Sequence, residues 1–140
     1  MAEQCKFRVH QFDPVIYPRK IWIIKGKQCK NVINEHFCDI YGNKLIVDGT
    51  NGVYACVWGI VRNKDIDRLG VLIWLISDVR VESCAHEAIH AANKIFSDCD
   101  IDYAREHDEH FAYFVGKIAD WIYQVWTGKF KDQYDCYSHS

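Results

Sequence analysis

Six consecutive apolar residues, Val71-Leu72-Ile73-Trp74-Leu75-Ile76, run into a helical segment with only a short polar break between them. Successive side chains of a strand point to opposite faces, so a run with no polar residue on either parity must be covered on both faces and belongs in the interior of a sheet. A second Val/Trp/Tyr-rich stretch, residues 53–61, precedes it across the charged connector 62–68. That arrangement predicts an antiparallel pair. Upstream, 7–12 and 15–25 read as extended, with Pro14 and Pro18 forbidding helix, and 27–41 reads as a helix carrying Val32, Ile33, Phe37 and Ile40 on one side, ended by Gly42-Asn43.

Downstream the period changes. Residues 79–96 are helical in pattern, with Ser77 or Asp78 as N-cap. A polar loop, 97–102, leads to a second long helix over about 103–126, stopped by Gly128 and carrying a core stripe of Phe111, Val115, Ile118, Ile122 and Val125. Strands followed by two consecutive helices make an α+β domain, a small and mostly antiparallel sheet packed on those helices. No repeat or linker divides residues 1–140, and 49% hydrophobic content suffices for one core, expected over about 53–126.

A formal net charge of −2 gives no electrostatic basis for binding nucleic acid or an anionic membrane surface. The first residues contain no apolar signal core and no apolar run approaches a membrane span, so the expectation is a soluble, cytoplasmic protein. Seven cysteines (Cys5, Cys29, Cys38, Cys56, Cys84, Cys99 and Cys136) include no CxxC pair, which argues for reduced thiols rather than a disulfide framework or a cysteine zinc site. Cys56 and Cys84 are expected in the core, and Cys136 to His139 in a frayed polar tail. Oligomeric state has no sequence signal.

The chemistry concentrates in His86-Glu87-Ala88-Ile89-His90, an HExxH motif placed mid-helix. Histidines four residues apart leave one helix face within reach of a single tetrahedral Zn²⁺, while Glu87 is swung out of the ligand plane and can act as general base on a metal-bound water. The plain alternative is two surface histidines on an ordinary helix. A hydrolytic zinc site takes a third protein ligand, and the dense candidate cluster is Glu106-His107-Asp108-Glu109-His110. Steps of three, seven and ten residues from Glu109 meet Ala112, Gly116 and Ala119, a small-residue strip that would admit the motif helix with its Ala85, Ala88, Ala91 and Ala92. That phase selects Glu109, with His110, Asp108 and His107 as alternatives. A solvated, acidic first turn would also explain the charges.

HExxH followed on the next helix by Glu109-His110-Phe111-Ala112 resembles the HExxH plus ExxA pattern of the gluzincin zinc metallopeptidases, especially the single-domain minigluzincins and related repressor-cleaving peptidases of mobile elements. More loosely, residues 85–93 with 108–113 are similar to short metallopeptidase-like proteins encoded in phage and prophage regions. The resemblance covers about 53–126. It implies a zincin-like fold, His86, His90 and Glu109 as zinc ligands, Glu87 as general base, a peptide or protein substrate, and a strand near 53–59 whose free edge holds an extended peptide. Tyr113 stands where the thermolysin-like variant would have Asp. Tyr103, His107, His110 and Tyr113 are candidates for oxyanion stabilisation. The leading expectation is a zinc-dependent peptidase or amide hydrolase; the alternatives are a non-catalytic zincin-like binding module and a metal-free phage or host interaction protein.

Overall fold

In the computed structural model, which describes residues 7–45, 53–102, 108–129 and 135–139, the apolar run lies inside a mixed sheet. The strands are β1 (Phe7–Phe12), β2 (Lys20–Lys25), β3 (Phe37–Asp39), β4 (Ala55–Asn63), β5 (Arg68–Leu75) and β6 (Asp135–His139), in spatial order β3-β4-β5-β2-β1-β6. The helices are α1 (Lys30–His36), α2 (Val81–Asp98) and α3 (Asp108–Thr127). The class is α+β, as the order of patterns requires.

β4 and β5 form the expected antiparallel hairpin, paired from Ala55↔Leu75 to Asn63↔Arg68 with a one-residue register shift between Gly59 and Val61. Both strands extend into the charged connector, because buried Asn63 closes the turn itself: its carbonyl accepts from Asp67 N–H at 2.9 Å and its side chain accepts from Asp65 N–H at 2.9 Å. β5 is covered on both faces. Val71, Ile73 and Leu75 join Phe12, Ile21 and Ile23 beneath α2 and α3, while Leu72 and Trp74 join Val9, Trp22, Ile24, Ile33 and Phe37 on the other side.

Sequence pattern did not reveal that β5 also pairs with β2, in parallel, from Lys20↔Gly70 to Lys25↔Leu75. Gly70 permits that pairing. A Cβ there would lie 2.1 Å from the Lys20 carbonyl oxygen and 2.8 Å from the Trp22 ring. At the far end, Lys25 Nζ donates to the Trp126 carbonyl at 2.7 Å and sits 4.7 Å from the indole centroid, fixing the C-terminus of α3 to β2.

Several expectations are corrected. The helix over 27–41 shrinks to α1, because Phe37 turns extended and is buried beside Trp22, and the Asp39 carboxylate accepts from Tyr41 and Asn43 N–H at 2.8 Å each, a local turn that competes with helix. The extended segment 15–25 becomes strand only at Lys20. Before it, Asp13 Oδ1 accepts from Val15 N–H at 2.8 Å, and Lys20 Nζ closes on Asp13 at 2.6 Å. The motif helix is capped at Arg80, not Ser77 or Asp78: Asp78 has a φ of 49° and pairs with Arg80 at 3.2 Å, and Arg80 N–H donates to Ser83 Oγ. The tail containing Cys136 to His139 belongs to β6, paired antiparallel with β1.

On α3 the inward face is Phe114, Ile118, Trp121, Ile122 and Val125, with Phe111 and Val115 only partly covered. Phe12 stacks on Trp121 at 4.9 Å, and Tyr17 packs on Phe114 at 4.6 Å. These aromatics rotate the buried face away from the small-residue strip: Ala112 and Gly116 are exposed, and a Cβ on Gly116 would meet nothing within 4 Å. Ala112 and Gly116 therefore form no close helix-packing seam, which removes the geometric reason for choosing Glu109. No helix among the described residues is long and apolar enough to cross a membrane.

Candidate active site

α2 lies across β4 and β5, buried through Cys84, Ala88, Ala91, Ala92, Ile95 and Phe96. The alanines permit a close approach, and Gly59 of β4 extends it: a Cβ on Gly59 would lie 2.7 Å from Lys94 Cβ. With that face buried, His86 and His90 emerge on the exposed side and Glu87 sits at the boundary, half-buried.

The two imidazoles converge. His86 Nε2 and His90 Nε2 are 3.1 Å apart, with ring centroids at 4.7 Å and planes inclined at 71°. Two ring nitrogens so close must either share one proton or turn both lone pairs towards a common cation. Ligand nitrogens about 2.0–2.1 Å from a tetrahedral zinc stand about 3.3–3.4 Å apart, so the pair fits two positions of such a site.

Burial pushes the Glu87 carboxyl above the usual carboxylate range, while positive charge on His86 and His90 acts the other way. Burial likewise raises the neighbouring Cys56 thiol, and the charge of Glu87 adds to it. Cys56 is half-buried, less enclosed than expected, whereas Cys84 is buried. The described cysteines Cys29, Cys38, Cys56, Cys84 and Cys99 are free thiols.

Beside the pair is a groove of about 320 Å3 lined by Tyr54, Ala55, Glu82, Ser83, His86 and Glu87. Its floor is the start of β4. β3 pairs with β4 only at residues 61–63, so among the described strands the stretch 55–60 has a neighbour on one side alone. Tyr54 C=O accepts from Ile76 N–H at 2.9 Å, and antiparallel alternation then turns the backbone N–H and C=O of Ala55 and Val57 towards the open side. Tyr54, Glu82 and Ser83 had not been singled out from the sequence; the Glu82 to His86 spacing of four was the available signal.

The other candidates among the described residues do not join the pair. Glu109 is exposed in the first turn of α3, and among the described residues no third His, Cys, Asp or Glu joins His86 and His90 in a metal-holding group. His110 and Tyr113 line a separate, mainly apolar cleft with Val15, Ile16, Phe114 and Trp121. Asp108 is exposed beside Glu109. Tyr103 and His107 lie outside the described residues. Comparison with protein-family models, curated proteins and solved structures gives no match.

Proposed function

We propose that this protein is a zinc-dependent peptidase or amide hydrolase. The observation carrying the reading is the 3.1 Å approach of His86 Nε2 to His90 Nε2 on one helix, with half-buried Glu87 between them in sequence. When bound, Zn²⁺ would supply Lewis acidity and lower the pKa of the attacking water. His86 and His90 hold the ion through neutral imidazoles, and Glu109 is the proposed third ligand on the strength of the ExxA resemblance. Glu87 takes a proton from the attacking water and passes it to the leaving amine; partial burial raises its basicity for that task. The open edge of β4 offers Ala55 and Val57 backbone groups to an extended substrate.

A second reading, a zincin-like module that binds peptide without cleaving it, is favoured by the exposed placement of Glu109 and by the two-member histidine set among the described residues. Metal analysis and a peptide-library digest separate the two. Stoichiometric zinc with cleavage lost in Glu87→Gln supports the hydrolase; zinc without cleavage of any peptide by the parent moves the assignment to the binding module.

A further inference from the structure

We propose that the cleft between residues 13–17 and α3 binds a small apolar monocarboxylate, an aliphatic or aromatic acid whose body rests on Val15, Ile16 and Tyr113 and whose carboxylate pairs with Lys117. The cleft holds about 220 Å3, below the roughly 300–1,000 Å3 of sites for drug-sized ligands, and its lining is mainly apolar. It lies apart from the histidine pair, and the inference does not use the hydrolase reading.

The first indication is the backbone of the loop. Val15 has a φ of 70°, and Ile16 N–H donates back across it to the Pro14 carbonyl at 2.8 Å, a tight three-residue turn. A β-branched residue is strained in that region, where glycine would be relaxed. The Val15 side chain is 84% exposed, so the core gains nothing from it in return. Asp13 nevertheless holds the turn, accepting from Val15 N–H at 2.8 Å and from Lys20 Nζ at 2.6 Å. Strain kept for the sake of an exposed apolar side chain is expected where that side chain meets a ligand.

Polar groups of α3 supply the second indication. Lys117 and Trp121 both line the cleft, with Lys117 Nζ 5.7 Å from the indole centroid. Trp121 is buried, and its indole N–H has no hydrogen-bond partner among the described residues. A carboxylate held by Lys117 brings an acceptor to that indole as well as a countercharge to the ammonium. Asp13, the acid of the lining, is already paired with Lys20. An alcohol of the same length would supply the acceptor without the charge, and an amine would meet Lys117 as a like charge.

The test titrates the full chain with octanoate, octan-1-ol and octylamine by calorimetry and follows the Trp121 indole N–H by NMR, its resonance assigned with Trp121→Phe. One octanoate should bind per chain, about three- to tenfold more tightly than octanol, with octylamine weakest, and should shift the Trp121 resonance. Lys117→Met should bring octanoate down to the level of octanol. Val15→Gly should weaken both by about three- to tenfold while leaving the urea midpoint unchanged or higher, an outcome that a purely structural role for Val15 does not give. No saturable octanoate binding, equal binding of acid and amine, or affinity unchanged in both Lys117→Met and Val15→Gly overturns the site. Binding that leaves the Trp121 resonance unmoved places the acid elsewhere and also overturns it.

Discussion

At the residue scale, the proposed chemistry rests on three side chains of α2, and close packing on Gly59 and Gly70. His86→Ala and His90→Ala should each abolish stoichiometric zinc in metal analysis, and parent affinity should fall on acidification as protonated imidazoles lose their lone pairs. Zinc retained in the double mutant would exclude this pair as ligands. Glu87→Gln preserves shape and removes the proposed base. It should fold and bind zinc like the parent while hydrolysis falls by about 10² to 10⁴-fold in a single-turnover assay. Gly70→Ala should cost about 3 kcal/mol or more in urea denaturation, since its Cβ would strike the Lys20 backbone, which has no side-chain freedom with which to yield.

At the element scale, the two long helices differ in how firmly their sequence fixes their orientation. α2 has one buried face, small at Cys84, Ala88, Ala91 and Ala92 and larger at Ile95 and Phe96, and the histidines fall opposite it. α3 contains both a small-residue strip and an aromatic stripe, and the larger apolar area of Phe114, Ile118 and Trp121 takes the core. Gly116→Leu, which a packed strip would forbid, should therefore leave thermal stability unchanged or raise it by about 0.5–1 kcal/mol through helix propensity. A loss above about 2 kcal/mol would indicate that residue 116 is covered in solution. Glu109→Ala should lower zinc affinity while Asp108→Ala does not; equal affinity in the two variants would remove Glu109 from the proposed ligand set.

At the scale of the whole molecule, burying β1 within the sheet encloses a titratable group. His10 is 7% exposed, and burial, with smaller contributions from the charges of Arg8 and Lys25, lowers its pKa from 6.5 to about 4. The folded protein then holds His10 neutral where the unfolded chain would protonate it. Its contribution is fully present above pH 6.5 and is lost progressively as pH falls towards 4. The full shift corresponds to at most about 3 kcal/mol. Urea denaturation across this interval should show a steeper pH dependence for the parent than for His10→Gln, whatever the absolute stability of the variant. Parallel curves would mean that His10 does not drive this part of the acid sensitivity.

The hairpin of β4 and β5, the interior position of β5, the helical placement of HExxH and the termination of α3 near Gly128 were legible in the sequence, because alternation, 3.6-residue periodicity and chain-breaking glycine are local properties. The convergence of His86 and His90 follows from the same helical geometry. Tertiary structure decided the parallel pairing of β2 with β5, the conversion of Phe37 to Asp39 into strand and the face of α3 that turns inward. Those outcomes depend on which distant surfaces compete for the same apolar area: Trp22 recruits Phe37, and Phe12 and Tyr17 draw Trp121 and Phe114 into the core. The groove lined by Tyr54, Ala55 and Glu82 arises for the same reason. It joins residues from β4 and α2 that are near neighbours only after the hairpin has brought the chain back beneath the helix.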